Sequence, residues 1–199
     1  MTERLFPTVE GFARAAELLA GGAIVAFPTD TVYGVGIAAS RPDRLPALFE
    51  LKRRPPEKGI PILVADATQA RDGGWVVDEL AQRLADRFWP GPLTLVLPSS
   101  KGATQAFRAP DHSVAMELIR ASGPLLATSA NISGEPETFG ADEVLIAFAT
   151  QQDELAAVVD GGYVPGGIAS TVLDLSTRPP RVLRAGPITS EELTPLIGG

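Results

Sequence analysis

Ala23-Ile24-Val25-Ala26-Phe27-Pro28-Thr29-Asp30-Thr31-Val32-Tyr33-Gly34-Val35-Gly36-Ile37-Ala38 is the stretch from which the fold is read. Residues 23–27 are wholly apolar, the pattern of a short strand buried on both faces. Pro28 has no N–H to give to a ladder, and the side chains of Thr29, Asp30 and Thr31 bond readily to nearby backbone, so residues 28–31 predict an interruption. Extended structure resumes over 32–38, where Gly34 and Gly36 mark a close backbone approach or a bulge.

Upstream, Val9, Phe12, Ala16 and Leu19 recur at helical spacing behind Thr8 as N-cap, and Gly21-Gly22 stops the helix. Downstream, Asp43 caps a helix through Leu45, Leu48, Phe49 and Leu51 that delivers Lys52, Arg53 and Arg54 before Pro55-Pro56. Residues 62–65 read as a strand, and Val77, Leu80, Leu84 and Phe88 as an amphipathic helix that ends at Trp89-Pro90-Gly91-Pro92. Strands follow at 93–97 and 105–108, a helix at 113–121 capped by Asp111, and a strand at 125–128. A helix at 141–149 leads to strands at 156–159, 171–175 and 181–184, and Thr189-Ser190-Glu191-Glu192 is a capping box for a last short helix. Interleaved helices and strands predict an α/β fold, and the adjacent late strands make the sheet mixed rather than purely parallel.

With 199 residues, 45% of them hydrophobic, the chain can bury the core of one domain. It has no cysteine and a single histidine, His112, which excludes a disulfide framework and thiolate metal sites and leaves little material for a zinc centre or a Ser-His mechanism. No basic leader and no apolar run near the ~18 residues of a membrane span are present, so a cytoplasmic protein is expected. The formal charge of −7 opposes nucleic acid on average. That charge is uneven: residues 41–58 hold six Lys/Arg, whereas residues 135–160 hold seven Asp/Glu and no Lys or Arg.

Two separated segments favour phosphate, Lys52-Arg53-Arg54-Pro55 and Thr128-Ser129-Ala130-Asn131-Ile132-Ser133-Gly134. Fixed cations neutralise phosphate oxygens while hydroxyls and backbone N–H groups orient them, which points to chemistry on ATP. Each segment also has a plain structural reading, as a helix end favoured by the dipole and as an ordinary Asn/Ser/Gly loop after a strand. Gly34-Val35-Gly36-Ile37-Ala38-Ala39 matches the dinucleotide fingerprint in form only, because Ser40-Arg41-Pro42 stands where its helix would open, and no Walker A sequence exists. Arg108 and Arg184 each end an apolar strand, where a guanidinium pairs with a carboxylate or with a ligand anion. His112, after Pro110-Asp111, suits a helix start, and Trp89 to Thr94 suits a rigid turn feeding a strand.

Taken in order, Phe27-Pro28-Thr29-Asp30-Thr31-Val32-Tyr33-Gly34, Lys52-Arg53-Arg54-Pro55, Trp89-Pro90-Gly91-Pro92-Leu93-Thr94, Arg108-Ala109-Pro110-Asp111-His112, Thr128-Ser129-Ala130-Asn131, Ser170-Thr171-Val172 and Leu183-Arg184-Ala185-Gly186 resemble the successive signatures of the YrdC-like family. The resemblance covers residues 8–197, which it implies to be one YrdC-like domain: an open, twisted, mixed α/β sheet with helices and a concave cationic cleft. Longer members add a C-terminal domain, so the resemblance is to the short form. Asp30 stands where many relatives carry Glu, and Gly59-Ile60 where many carry Pro-Leu.

The resemblance implies L-threonylcarbamoyladenylate synthase activity, a nucleotidyl transfer in which L-threonine, bicarbonate and ATP, with Mg²⁺ accompanying the ATP, give threonylcarbamoyl-AMP and pyrophosphate. The product serves N6-threonylcarbamoyladenosine modification at tRNA position 37. By the same resemblance Lys52 and Arg54 are catalytic and, with Ser129, Asn131 and Arg184, contact phosphates or the adenylate; Thr29, Tyr33, Arg108, Thr128 and Ser170 surround the threonine. No protein-held metal is expected, Asp30 being the one nearby acid. Lys52 and Arg54 are expected to face solvent, so that replacing either cuts turnover with little unfolding. A downstream tRNA threonylcarbamoyl transferase complex and a weak tRNA contact are the implied macromolecular partners, with no membrane. The alternatives are a tRNA or double-stranded RNA binding module, which the −7 charge disfavours, and the carbamoyl-adenylate-forming domain of hydrogenase maturation, whose zinc fingers a cysteine-free chain does not carry.

Overall fold

A computed structural model describes residues 1–56, 59–151 and 153–198. In chain order the strands and α-helices are β1 (Glu3–Leu5), α1 (Val9–Ala20), β2 (Ile24–Pro28), β3 (Tyr33–Ala38), α2 (Leu45–Leu51), β4 (Ile62–Leu63), α3 (Ala67–Asp72), α4 (Glu79–Phe88), β5 (Leu93–Pro98), β6 (Thr104–Arg108), α5 (Ser113–Ser122), β7 (Leu125–Ser129), α6 (Ala141–Ala147), β8 (Leu155–Val159), β9 (Thr171–Asp174), β10 (Arg181–Arg184) and α7 (Ser190–Ile197). The chain divides into two compact units, Met1–Ile60 with His112–Gly167 and Pro61–Asp111 with Ile168–Gly199. Each is assembled from two stretches, so no single cut in the sequence separates them.

The first unit is built on strands in the order β1-β8-β2-β3-β7. β8 runs parallel to β1 and β2, and β3 runs antiparallel to β2 and β7. Every residue of β2 and β3 is buried, as their unbroken apolar runs require. A Cβ on Gly36 would lie 2.4 Å from Leu126 O, which makes it the close approach, whereas one on Gly34 meets only ordinary contacts at 3.5 Å. Thr8 caps α1 by accepting from Gly11 N at 3.1 Å. The buried stripe of α1 is Gly11, Ala15 and Leu19, so the helix is turned slightly from the expected face: Leu19 is buried as expected, Phe12 and Ala16 are half-buried, and Val9 is exposed. Gly11 sets that rotation, because any side chain there would collide with Phe6 O, 1.9 Å from an ideal Cβ.

Two expected caps are absent. Asp43 lies in a 3₁₀ turn ahead of α2 and is held by Arg41, whose Nε and Nη2 reach its carboxylate at 3.0 and 2.9 Å. That guanidinium, two residues away, outcompetes the helix end for the carboxylate. Asp111 lies one residue outside α5, whose N-cap is His112, with no side-chain capping bond.

The second unit orders its strands β4-β6-β5-β9-β10, with β4/β6 and β5/β9 parallel and β5/β6 and β9/β10 antiparallel. Both units therefore mix strand directions, as the sequence predicts. Leu84, Leu93, Leu95, Leu97, Phe107, Leu173 and Leu193 form a core in which each side chain is at most 2% exposed. Each such side chain contributes roughly 1.5–3 kcal/mol by leaving water. The capping box of α7 is present: Thr189 N donates to Glu192 Oε2 at 2.9 Å and Glu192 N to Thr189 Oγ1 at 3.3 Å. Three features lie outside the sequence reading: β1, the short helix α3, and the limit of β4 to two residues. Among the described residues no helix is long and apolar enough to cross a membrane.

Candidate functional site

In the first unit, α2 ends with Lys52 as its C-cap and Arg53 turns the chain with left-handed backbone, φ 49°. The Lys52 side chain is turned into the protein and is 1% exposed. Its Nζ donates to Ser129 O, to Asn131 O at 2.6 Å and to Asn131 Oδ1 at 3.5 Å. Those acceptors match the three donors of an ammonium. Ser129 Oγ donates to Asn131 Oδ1 at 2.6 Å, Asn131 Nδ2 to Glu135 O at 2.6 Å, and Ser133 N to Lys52 O at 2.9 Å. The loop after β7 is thus wound around the lysine.

The expectation that Lys52 faces solvent is therefore corrected. Backbone carbonyls from a segment 77 residues away supply the acceptors that let a cation lie inside. Burial pushes its pKa down to about 8, and the charge of Arg54 adds to the shift. Arg54 is half-buried, its Nη2 donating to Gly59 O at 3.0 Å, and burial holds its guanidinium below the usual value.

Thr29 is buried and uses its hydroxyl on its own turn, donating to Val32 O at 2.7 Å and accepting from Thr31 N at 3.3 Å. This is the interruption read from Pro28 to Thr31. Tyr33 is fully buried and donates its hydroxyl to Gly162 O at 2.7 Å. Burial, followed by the charge of Asp160, pushes that phenol up to about 12. Thr128 is half-buried in β7, opposite Val35 of β3.

The second unit gathers a different set. Arg108 ends β6, is 9% exposed, and donates from Nε to Gly91 O at 3.1 Å. Gly91 N in turn donates to Ala109 O at 2.8 Å, so the turn before β5 is stitched to the end of β6. Ser170 immediately precedes β9; its Oγ lies 2.7 Å from Thr94 Oγ1 and accepts from Arg184 Nη2 at 3.1 Å, while Arg184 Nε donates to Ser170 O at 3.0 Å. The structure thus brings Arg184 onto Ser170. Gly186 lies against the same backbone, where a Cβ would come within 2.4 Å of Thr171 N and 2.5 Å of Ala169 O.

Thr94 is the residue that sequence reasoning left without a role. Its signal was its place at the end of Trp89-Pro90-Gly91-Pro92-Leu93-Thr94, a segment that supports Arg108 through Gly91 and Ser170 through Thr94. Among the described residues no three acidic or histidine side chains cluster to hold a metal ion. Asp30 by itself does not supply the oxygen set that Mg²⁺ requires.

Comparisons with known proteins give the family of the chain. The Sua5/YciO/YrdC family model, described as "Telomere recombination", matches residues 17–186. A threonylcarbamoyl-AMP synthase of Bacillus subtilis is 40% identical over 210 residues, covering 100% of this chain and 60% of its own length. One from Pyrococcus abyssi is 40% identical over 194 residues, covering 92% of this chain and 56% of its own. The crystal structure of P. abyssi Sua5 complexed with L-threonine superposes with a TM-score of 0.87 at 37% identity, covering 100% of this chain and 61% of that one. This chain therefore spans about three fifths of the length of these relatives.

Proposed function

The chain belongs to the Sua5/YciO/YrdC family, and from that premise we propose that it is a threonylcarbamoyl-AMP synthase. The amine of L-threonine adds to bicarbonate with loss of water to give a carbamate. A carbamate oxygen then attacks the α-phosphorus of ATP, and the bond to the β-phosphate oxygen breaks to release pyrophosphate. This is an adenylyl transfer, so the enzyme is a nucleotidyltransferase. Such chemistry depends on positioning and charge neutralisation, so a chain without cysteine and with one histidine is equipped for it.

The observation that carries the reading is the Ser129–Asn131 loop fixed around the Lys52 ammonium. It is a preorganised polar cradle with a positive charge beneath it, suited to the adenylate phosphate, and Arg54 supplies a second, more accessible cation. Lys52, Arg54, Ser129 and Asn131 are the nucleotide group of this proposal. Arg108, already oriented by Gly91, is suited to the carboxylate of L-threonine, the ligand held by the P. abyssi relative, with Ser170 as a second contact. Mg²⁺ enters with ATP as part of the substrate. The product is a mixed anhydride, an activated acyl donor, and an acyl transfer to tRNA by a downstream transferase is the step suited to consume it. A cytoplasmic location, where ATP and tRNA are at hand, belongs to the same proposal.

The test is pyrophosphate release from ATP with Mg²⁺, with and without bicarbonate, and with each amino acid in turn. Release that needs both bicarbonate and L-threonine is the expected result. No threonine-dependent release, with salt-sensitive tRNA binding instead, would favour an RNA-binding module.

A further inference from the structure

We infer that Thr94 is a positioning residue for L-threonine: its hydroxyl fixes the hydroxyl of Ser170, through which the second unit meets the ligand. The inference deepens the functional reading above and rests on it. Thr94 is 5% exposed and Ser170 4%, and their oxygens lie 2.7 Å apart. At that distance one hydroxyl donates to the other, which leaves a single preferred rotamer for each.

Ser170 Oγ also accepts from Arg184 Nη2 at 3.1 Å. A hydroxyl has one proton and two lone pairs, so the guanidinium and Thr94 together take two of its three capacities and one remains for a ligand. Without Thr94 Oγ1, Arg184 Nη2 alone holds the Ser170 hydroxyl, whose proton then turns about the Cβ–Oγ bond, and the remaining capacity has no fixed direction. The backbone around the pair is rigid independently of Thr94. Thr94 lies opposite Val172 in the β5/β9 ladder, Thr171 N donates to Pro92 O at 2.9 Å, and Thr171 Oγ1 donates to Ile188 O at 2.8 Å. Removing the Thr94 hydroxyl therefore releases a side chain and leaves the strand in place. The pairing explains why a hydroxyl residue ends an otherwise apolar turn-to-strand segment.

The experiment is equilibrium binding of L-threonine by titration calorimetry to the unaltered protein, Thr94→Val, Thr94→Ser, Ser170→Ala and the double variant Thr94→Val/Ser170→Ala. ATP affinity and urea stability are measured alongside. Val keeps the shape of Thr and removes the hydroxyl, whereas Ser keeps the hydroxyl. The expected result is an L-threonine affinity about tenfold weaker in Thr94→Val, near the unaltered value in Thr94→Ser, and unchanged by Thr94→Val once Ser170 is Ala. ATP affinity stays constant in Thr94→Val and Thr94→Ser. Equal L-threonine affinity of Thr94→Val and the unaltered protein, or an undiminished loss in the Ser170→Ala background, overturns the role of Thr94 alone. No affinity of the unaltered protein for L-threonine overturns both the role and the functional reading.

Discussion

The loop around Lys52 and the cluster around Ser170 solve the same problem, fixing hydroxyls and amides in place, by opposite means. In the first, a cation is buried and gives its donors to Ser129 and Asn131, so under the proposed function nucleotide binding and folding would share one group. In the second, the cation is Arg184, on an exposed edge strand, and it reaches inward to a buried pair of hydroxyls already seated on a regular ladder. Burying a charge costs several kcal/mol unless its hydrogen bonds are complete, whereas a neutral hydroxyl pair can lose a member at a cost nearer 1 kcal/mol. Loss of the cation in the first region should therefore register in stability, and loss of a hydroxyl in the second in ligand affinity.

The largest effect should come from Lys52→Ala. It takes the ammonium from Ser129 O and Asn131 O, leaves Asn131 Oδ1 with the Ser129 hydroxyl alone, and opens a void where a fully buried side chain stood. A loss of about 3 kcal/mol in urea denaturation is expected, together with loss of turnover. Retention of stability within about 0.5 kcal/mol would erase the distinction between the two regions.

Gly186→Ala sharpens the comparison from the other side. Its methyl would be forced against Thr171 N and Ala169 O, which moves the backbone of Ser170 itself. The expected cost is about 2 kcal/mol of stability together with weakened L-threonine binding, read by the same denaturation and by calorimetry. Undisturbed threonine affinity would detach the Ser170 cluster from the ligand.

The last effect is a pH dependence. Lys52 holds its proton less firmly in the folded protein, about 8 against an ordinary 10.5, because of burial and then Arg54. Between those two values the unfolded chain binds more protons than the folded one, so the contribution of this site to stability rises with pH across that window and is least favourable below pH 8. The urea midpoint of the unaltered protein, taken relative to that of Lys52→Met at the same pH, should rise from pH 7.5 to about 10 as the unaltered protein gains. Parallel curves would place the Lys52 titration elsewhere.

Local signals were legible in the sequence where they were complete within a few residues. Thr8 before α1, the box of Thr189 and Glu192, and the interruption at Pro28 all act within one turn of chain. Asp43 and Asp111 misled because a competing guanidinium in one case, and a shift of one residue in the other, decides which carboxylate meets a helix end. Helix α3 carries too little periodicity to read, since only Ala67 and Ala70 are buried. The ordered motifs named residues that the structure brings together in two clusters, Lys52 with Ser129 and Asn131, and Ser170 with Arg184. The direction of Lys52 was not, because its acceptors lie 77 and 79 residues away, and nothing in Lys52-Arg53-Arg54 distinguishes an inward ammonium from an outward one.

The central claim, that this chain joins bicarbonate carbon to threonine and adenylate, is tested most directly with ¹³C-bicarbonate. The protein is incubated with ATP, Mg²⁺ and L-threonine, and AMP-containing products are weighed by mass spectrometry. The account predicts threonylcarbamoyl-AMP carrying one ¹³C from the label and formed together with pyrophosphate. An unlabelled threonyl-AMP, or an adenylate that forms equally well without bicarbonate, would contradict it.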